Sequence, residues 1–312
     1  MREAPLKPPG PLAYVNGRWV PLAEATISAF DIGFLQGATV AEQLRTFGGE
    51  LFRLELHLSR LARSLEIVGI DPGMPLVELG QIATELVAQN RKLIDPADDE
   101  QATIFVTPGI ASQYAELVHP HGPTVCVHTQ PLAFGSWADK YRTGESLVVT
   151  EVMQVSARCW PPELKCRSRM HYFLADKQAR AIEPGARALL LDERGLVTEA
   201  STANILVYRH DEGLVSPPKE HILPGVTVAV VEELAGQLGI PFVHRDLQVN
   251  DVAQAEEVLL CSTSPCFISV TRLNGRAISD AKPGPLSRRL LATWSQMVGL
   301  DIEAQARRFA KR

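Results

Sequence analysis

The chain has 312 residues, 46% of them hydrophobic and 21% charged, and its formal net charge at pH 7 is −5. This composition is that of a folded globular protein, and the lack of a basic block argues against a nucleic-acid partner. The sequence has neither a signal-peptide core nor an apolar run of about 18 residues, so we expect a cytoplasmic protein without a membrane segment.

The first part of the chain predicts a small α+β domain. Asn16-Gly17 suits a type I′ turn between two short strands, and Gly48-Gly49 suits a second tight turn. Apolar residues recur at steps of three and four before Gly69, which predicts an amphipathic helix that ends at this glycine. In chain order we expect a hairpin at 13–20, a turn at 31–34, strands at 38–47 and 51–52, helices at 54–68 and 76–93, and strands at 102–107 and 123–129.

The second part predicts a larger domain rich in strands. The stretch Gln-Pro-Leu-Ala-Phe-Gly-Ser near residue 130 is typical of a linker, so we divide the chain into domain 1–130, linker 131–137 and domain 138–312. In the second domain we expect strands at 147–153, 188–192, 203–208, 213–216, 257–261 and 268–273, and helices at 172–182, 223–238 and 286–297.

Two polar residues in this second part point to cofactor chemistry. Lys165 precedes an amphipathic helix, and Glu199 ends a predicted hairpin. They supply the groups that a pyridoxal 5'-phosphate (PLP) enzyme needs, namely an amine that forms a Schiff base and a carboxylate that pairs with the pyridine nitrogen. The amine reacts only when uncharged, and Arg167 and Arg169 could lower its pKa by like-charge repulsion. Taken singly, such a lysine and glutamate are ordinary surface residues.

Cysteine and histidine spacing bears on two other kinds of site. The five cysteines form no Cys-x-x-Cys pair and are odd in number, so we expect reduced thiols rather than a zinc site or a disulfide framework. His119 and His121 flank a proline, but no third ligand stands at a suitable spacing. We therefore predict no bound metal.

Several motifs occur in a characteristic order along nearly the whole chain. They are Asp31-Ile-Gly-Phe34, Val40-Ala-Glu-Gln-Leu-Arg45, Glu55-Leu-His-Leu-Ser-Arg60-Leu61, Lys165, Asp192-Glu-Arg-Gly-Leu-Val-Thr-Glu199-Ala-Ser-Thr-Ala-Asn204, Ile222-Leu-Pro-Gly-Val-Thr227 and Ser262-Thr263. In this order they resemble the class IV (fold-type IV) PLP-dependent aminotransferases, which include branched-chain aminotransferases, D-amino acid aminotransferases and aminodeoxychorismate lyases. The resemblance implies an α+β (mixed α/β) two-domain fold, with a smaller N-terminal α+β domain and a larger β-rich mixed C-terminal domain that carries the PLP lysine.

The resemblance also implies a role for each matching residue. Lys165 is the expected catalytic lysine, Glu199 the expected partner of the pyridine nitrogen, and Arg60 the expected clamp on the cofactor phosphate. The amides of Val226 and Thr227 begin a helix and are expected to bind the same phosphate. Further cofactor contacts are expected from Ser201, Thr202, Ser262 and Thr263.

Substrate recognition is where the sequence departs from the family. Pro108 stands where D-amino acid aminotransferases have the arginine that grips the substrate carboxylate. In one interpretation Arg167 or Arg169 takes over that role, and in the other both are outward-facing charges.

Two more residues have two interpretations each. Arg45 matches an arginine of the branched-chain enzymes, although an ion pair with Glu42 or Glu55 explains it equally well. Tyr172 could lie near the cofactor, but core packing is the favoured role. The candidate substrate contacts are Gln36, Arg45, Thr107, Arg167 and Arg169.

The resemblance implies transfer of an amino group between a small amino acid, branched-chain-like or D-configured, and a 2-keto acid, by a ping-pong mechanism through a lysine Schiff base. One alternative is an aminodeoxychorismate lyase-like reaction that eliminates pyruvate. The other is a catalytically silent PLP-binding homologue, against which the joint retention of Lys165, Glu199, Arg60 and Thr263 argues. The expected partners are amino acid and keto acid substrates and a second copy of the chain in a homodimer, with no nucleic acid and no membrane.

Overall fold

The computed structural model describes residues 10–117 and 122–311, which form two compact units. The first unit holds the described residues through Leu132 together with Lys165–Ser168, and the second holds Ala133–Leu164 and the described residues from Arg169 onward. His119 and His121 lie outside the described residues. In the described ranges, none of the helices is long and apolar enough to cross a bilayer.

The first unit combines an antiparallel sheet with three helices in its described residues. They are β1 (Leu12–Val15), β2 (Arg18–Pro21), α1 (Ile32–Leu35), β3 (Val40–Phe47), β4 (Glu50–Leu51), α2 (Leu54–Val68), α3 (Leu76–Asn90), β5 (Glu100–Thr107) and β6 (Thr124–Pro131). The strand order is β2-β1-β6-β5-β3-β4. The predicted type I′ turn joins β1 to β2, since Asn16 and Gly17 have φ of 48° and 81°. Helix α2 ends as predicted at Gly69, whose left-handed φ is 67°.

Helices α2 and α3 pack against one face of this sheet. Leu61 and Leu65 of α2 are exposed by 0% and 4%, and burying each such side chain stabilises the fold by about 2 kcal/mol. Polar groups tie the helices to the same face, because Asn90 of α3 donates to Thr129 Oγ1 of β6 at 2.8 Å. Side chains alternate along a strand, so the neighbours of Thr129 point to the opposite face.

The segment Lys165–Ser168 forms an added edge beside β3. The Ala41 amide donates to the Lys165 carbonyl at 3.1 Å, and the Arg167 amide donates to the Thr39 carbonyl at 2.8 Å. The Lys165 amide also donates to Ser64 Oγ of α2 at 3.1 Å. These bonds explain a difference from the predicted boundaries, which put Lys165 in the domain 138–312, whereas its backbone pairs within the first unit.

The second unit is larger and richer in strands. Its elements in the described residues are α4 (Lys140–Thr143), β7 (Glu145–Val149), α5 (Met170–Ile182), β8 (Arg187–Leu191), β9 (Val197–Ala200), β10 (Ala203–Arg209), β11 (Gly213–Ser216), α6 (Val226–Gln237), β12 (Phe242–His244), α7 (Val249–Ala253), β13 (Glu257–Ser262), β14 (Cys266–Leu273), β15 (Arg276–Ala277), α8 (Pro285–Val298) and α9 (Ile302–Phe309).

Six of these strands close into a ring in the order β10-β13-β14-β7-β8-β9, because β9 pairs with both β8 and β10. Strands β7 and β8 are parallel, as are β7 and β14, while the other neighbours in the ring are antiparallel. One apolar cluster takes a buried side chain from each strand of the ring, namely Leu147, Leu189, Val197, Ile205, Leu260 and Val270. This cluster therefore forms the core of the second unit.

Several elements differ from the sequence prediction. Residues 31–34, predicted as a turn, include the start of α1, because Asp31 Oδ1 accepts a hydrogen bond from the Gly33 amide at 2.6 Å and caps the helix. Helix α6 begins at Val226 rather than at 223, since Gly225 is its N-cap. In the predicted linker, Phe134 is only 1% exposed and begins a short 3₁₀ turn. The five cysteines are free thiols.

Candidate active site

Three polar side chains are buried together in the first unit. Glu42 lies on β3, and His57 and Arg60 lie on the buried face of α2. The Arg60 guanidinium donates twice to the Glu42 carboxylate, from Nε to Oε1 and from Nη2 to Oε2, each at 2.8 Å. His57 Nδ1 lies 2.7 Å from Glu42 Oε2. Because Glu42 is 0% exposed, these partners compensate a charge that has lost its hydration.

The protonation of this cluster follows from its geometry. Burial alone would raise the pKa of Glu42, but the charge of Arg60 and the hydrogen bonds from Arg60 and His57 lower it to about 2. Burial lowers the pKa of His57 below its ordinary value, against the opposing effect of Glu42. The cluster at neutral pH is therefore a carboxylate, a guanidinium and a neutral imidazole.

Lys165 lies within electrostatic reach of this cluster. Its positive charge is a further cause of the lowered pKa of Glu42 and of the lowered pKa of His57. Ser64, which accepts from the Lys165 amide, lies one turn beyond Arg60 on α2. The expected catalytic lysine and the expected phosphate arginine thus belong to one part of the first unit.

The opposite face of the sheet in the first unit is also polar. Two rows of cross-strand neighbours line it, Gln43 with Thr103 and His128, then Arg45 with Gln101 and Gln130. The Gln43 Nε2 donates to Gln101 Oε1 at 2.5 Å. Burial lowers the pKa of His128, and the charge of Arg167 lowers it further. Arg167 therefore acts electrostatically on this face.

Arg45 belongs to this second face and not to the cluster around Glu42. It is 1% exposed, and its guanidinium lies 3.9 Å from the centre of the Phe47 ring. Because Glu42 and Arg45 are three residues apart on one strand, their side chains point to opposite faces. Of the two ion-pair partners considered for Arg45, this geometry therefore argues against Glu42.

Thr107 and Gln36 lie near α1. The Thr107 hydroxyl donates to Asp31 Oδ2 at 2.9 Å, and the Thr124 hydroxyl donates to the same oxygen at 2.6 Å. Asp31 is fully buried, so Thr107 helps to hold the cap of α1. Gln36 ends α1 and is exposed.

In the second unit, Glu199 is buried and held by four donors. Its Oε1 accepts from Asn204 Nδ2 and from the Leu223 amide, both at 2.8 Å. Its Oε2 accepts from the Tyr172 hydroxyl at 3.1 Å and from Gln154 Nε2 at 3.2 Å. The side chain is only 4% exposed. Such a carboxylate is fixed in orientation and suits a charged or strongly polarised N–H donor.

Gln154 is a functional candidate that the sequence did not single out, and Tyr172 is one for which core packing was the favoured role. Tyr172 packs against a buried apolar cluster, as favoured from the sequence. Its hydroxyl also donates to Glu199, and burial together with the charge of Glu199 raises its pKa. The Gln154 amide donates to the Leu191 carbonyl at 2.9 Å. Among the described residues, Gln154 Oε1 is buried without a hydrogen-bond partner. An orphaned acceptor of this kind indicates space for a polar group beside Glu199.

Helix α6 offers its amino terminus as an anion site. Val226 and Thr227 are its first residues, and no side chain caps the terminus among the described residues. The first amides of a helix lack partners inside it, and the helix dipole adds positive potential there. Gly225, the N-cap, follows directly from the Leu223-Pro224 segment that binds Glu199.

The other predicted residues of the second unit lie on turns. The Ser201 hydroxyl donates to Asp176 Oδ1 at 2.6 Å, so it ties the turn after β9 to α5. Thr202 has a left-handed φ of 63° and accepts from Arg187 Nη2 at 3.0 Å. Ser262 and Thr263 lie at the β13–β14 turn. Arg169 precedes α5, and its charge opposes the rise in the pKa of Tyr172.

The sequence did not identify Glu42 as a site residue, because its role depends on His57 and Arg60 on another element. Glu42 stands in the landmark Val40-Ala-Glu-Gln-Leu-Arg45, where a charge between apolar strand residues could have signalled a buried pair. Gln154 gave no comparable signal. Within the described residues, no group of three or more His, Cys, Asp or Glu side chains is arranged to hold a metal ion.

Comparison with known proteins assigns the family. Residues 39–273 match the family model described as amino-transferase class IV, which is most of the chain. The protein belongs to the class IV aminotransferases. A curated relative, the D-alanine aminotransferase of Staphylococcus aureus strain N315, is 28% identical over 282 residues, which cover 89% of this chain and 94% of the relative.

Solved structures of class IV aminotransferases share the fold. The branched-chain amino acid aminotransferase of Escherichia coli has a TM-score of 0.83 at 20% identity, with 93% of this chain and 94% of that chain covered. The branched-chain aminotransferase of Thermoproteus uzoniensis with norvaline has a TM-score of 0.78 at 24% identity, with 96% of this chain and 97% of that chain covered. Class IV aminotransferases depend on PLP, and solved structures with this fold contain derivatives of it. The orphaned Gln154 oxygen beside the four-donor Glu199, and the uncapped start of α6, fit a ring nitrogen and a phosphate.

Proposed function

We propose that this protein is a PLP-dependent aminotransferase that moves an amino group between a small amino acid and a 2-keto acid in two half-reactions. The observation that carries the proposal is the Glu199 carboxylate, which is buried and accepts four hydrogen bonds. A carboxylate in this state keeps a proton on a pyridine nitrogen, which is the requirement of PLP chemistry. Membership of the class IV aminotransferases supports the same conclusion.

When bound, PLP withdraws electrons from the α-carbon of the amino acid and makes the α-proton acidic. Lys165 is the proposed acid–base residue, since its uncharged amine can take the proton from the substrate Cα and the ammonium group formed in this way can release that proton again. Glu199 holds the proton on the ring nitrogen. In the first unit, Arg60 is a proposed donor to the cofactor phosphate. In the second unit, the amides of Val226 and Thr227 are proposed phosphate donors, with Ser262 and Thr263 as further ones.

The fixed pair of Arg60 and Glu42 suits this phosphate role. Glu42 takes two donors of the guanidinium and sets its plane. A guanidinium held in this way loses little conformational freedom when an anion binds. Its buried partner also keeps the charge of Arg60 compensated in the absence of the anion.

Arg167 is the proposed contact of the substrate carboxylate. It stands two residues from Lys165, and its charge acts on His128 of the polar sheet face. Pro108 lacks any cationic group, and the exposed guanidinium of Arg167 is the proposed replacement for it. The relation to a D-alanine aminotransferase supports a small, D-configured amino acid as the donor, with a branched-chain-like amino acid as the other candidate.

We also propose that the chain forms a homodimer. The segment before α1 and the segment after β5 meet in an apolar patch, where Phe30 and Tyr114 have ring centroids 4.6 Å apart. Phe34 of α1 and Leu117 of the segment after β5 are 73% and 76% exposed. Exposed apolar clusters of this kind mark interaction surfaces. Sedimentation velocity of the wild type and of Phe34→Ser with Leu117→Ser tests this, with a shift toward monomer expected for the double variant.

The function is tested by visible absorption of the PLP-loaded protein during addition of single amino acids. We expect the band of bound PLP to change with one class of small amino acid, and to be restored by a 2-keto acid. A matched Arg167→Gln variant should raise the amino acid concentration needed for half of the change, whereas Arg158→Gln, an exposed arginine elsewhere in the chain, should not. A band that no amino acid changes would contradict the transaminase.

The same experiment separates the two alternatives. A lyase forms pyruvate from its substrate without a keto acid acceptor, so pyruvate in acceptor-free reactions would replace the transaminase by that activity. A silent homologue would show a PLP band that neither amino acids nor aminodeoxychorismate alter.

A further inference from the structure

Asn204 forms hydrogen bonds to Glu199 and to Leu223, which precedes α6. The proposed function assigns Glu199 and the start of α6 to opposite ends of the cofactor. Asn204 lies on β10 opposite Glu199 on β9, and its Nδ2 donates to Glu199 Oε1 at 2.8 Å and to the Leu223 carbonyl at 2.9 Å. The Leu223 amide closes the triangle by donating to the same Glu199 oxygen at 2.8 Å. Because Leu223 stands two residues before Gly225, the N-cap of α6, one set of hydrogen bonds connects the carboxylate with the helix start.

Gly225 approaches the Asn204 amide so closely that a larger residue does not fit. Its φ is −71°, which any residue adopts, so backbone conformation does not explain the glycine. Space does, because a Cβ at this position would overlap Asn204 Oδ1 and lie 3.2 Å from Val228 Cγ2. A methyl group there would displace the Asn204 amide from its bonds to Glu199 and Leu223.

We infer that Asn204 is a positioning residue, which sets the Glu199 carboxylate and the first amides of α6 at a fixed separation. The inference rests on the proposed function, since Glu199 binds the ring nitrogen and the α6 amides bind the phosphate there. A rigid ligand such as PLP gains from both contacts only when their spacing matches its own. Asn204 is 5% exposed, so its hydrogen bonds are shielded from water and hold that spacing firmly.

The test is a double-mutant cycle on the full chain, with Asn204→Ala, Gly225→Ala and the double variant. Gly236→Ala is the matched control, because Gly236 lies on the same helix and a Cβ there meets nothing within 4 Å. Two ligands are titrated by fluorescence, PLP and pyridoxal, which lacks the phosphate. The ratio of their dissociation constants measures what the phosphate contacts contribute, and the thermal midpoint of each ligand-free protein is recorded alongside.

We expect Asn204→Ala to weaken PLP binding about tenfold, the effect of losing a hydrogen bond to a charged group. We also expect it to lower the advantage of PLP over pyridoxal, because the phosphate contacts no longer match the ring contact. Gly225→Ala should do the same in the wild-type background. In the Asn204→Ala background, Gly225→Ala should raise the dissociation constant of PLP by less than about threefold more, since the amide that it would displace is already absent.

Several outcomes are decisive. If Gly225→Ala does not fold, recovery of folding in the double variant supports the inference, and failure of both overturns it. Equal effects of Gly225→Ala in the two backgrounds overturn it, as does a loss of thermal midpoint in Asn204→Ala with an unchanged ratio of PLP to pyridoxal affinity. If the wild type binds neither ligand, the proposed function itself fails, which is distinct from failure of the coupling.

Discussion

Replacing Glu42 by glutamine should destabilise the first unit strongly and leave the shape of the side chain unchanged. In the wild type, this carboxylate accepts two hydrogen bonds from Arg60 and one from His57 with no exposure to solvent. Glutamine keeps one acceptor oxygen and loses the charge. Arg60, only 8% exposed, then lacks its counter-ion at a buried position.

The expected loss in the free energy of unfolding follows from the pKa of Glu42 and from the burial of its ion pair. The fall of the pKa of Glu42 from 4.5 to about 2 corresponds to about 3 kcal/mol of stability. Removing one partner of a buried ion pair costs about 3–5 kcal/mol. We therefore expect the free energy of unfolding to fall by about 3 kcal/mol at pH 7. Because the pKa is lowered, this contribution is complete above pH 4.5 and is lost as the pH falls toward 2, so the difference between wild type and variant should shrink there.

The assay is denaturant unfolding of the PLP-free protein, followed by far-ultraviolet circular dichroism. Glu66→Gln is the matched control, since Glu66 pairs with Arg63 on the same helix but the two side chains are 71% and 49% exposed. That surface pair should contribute no more than about 0.5 kcal/mol. Equal free energies of unfolding for Glu42→Gln and Glu66→Gln would show that the buried ion pair contributes no more than the exposed one.

Three further predictions use other residues. Burial raises the pKa of Glu100 to about 7, so the free energy of unfolding of the wild type should fall as the pH rises from 4.5 through 7. In denaturant unfolding, the free energy of unfolding of Glu100→Gln should change by about 2 kcal/mol less than that of the wild type between pH 5 and pH 8. Equal pH profiles would show that ionisation of Glu100 does not destabilise the fold. Glu199→Gln should lower kcat about 100-fold while PLP still binds, and full activity would remove Glu199 from the mechanism. Gly109→Ala should lower the free energy of unfolding by about 2 kcal/mol or more, because Gly109 has a φ of 83° and a Cβ would overlap the Gly122 carbonyl. Gly185→Ala, with a φ of 84° and open space, should cost only about 1 kcal/mol, and equal losses would refute the steric part.

The elements predicted well from the sequence are those with local signals. Asn16-Gly17 forms a hairpin turn, and Gly69 ends helix α2, each through its own left-handed backbone conformation. These boundaries could therefore be predicted without knowledge of distant residues. The missed elements depend on tertiary contacts. Strand β12 has three residues and exists because it pairs with β11, and no period can be read from so short a segment.

The placement of Lys165 shows the same limit. Its segment carries no strand signal, and it joins the first unit because the amide of Ala41, more than a hundred residues earlier in the chain, donates to it. The predicted linker at 131–137 had placed Lys165, which follows it in the chain, in the second domain. Topology is decided by such long-range pairs, which the local pattern does not encode.

The candidate site was predictable where a motif keeps its residues close together. Glu199 and Asn204 are five residues apart in one hairpin and bond to each other. Tyr172 and Gln154 reach Glu199 from 27 and 45 residues away. Their roles follow from these hydrogen bonds, so the sequence left two interpretations open for Tyr172 and indicated no role for Gln154.

Lys165 is the residue to which we propose that the cofactor attaches. Borohydride reduction of the PLP-loaded protein, followed by peptide mapping with mass spectrometry, tests this attachment most directly, because reduction makes the bond between PLP and a lysine permanent. We expect one labelled peptide, modified at Lys165, and no label in Lys165→Ala. A label on any other lysine, or persistent specific labelling in Lys165→Ala, would contradict the account.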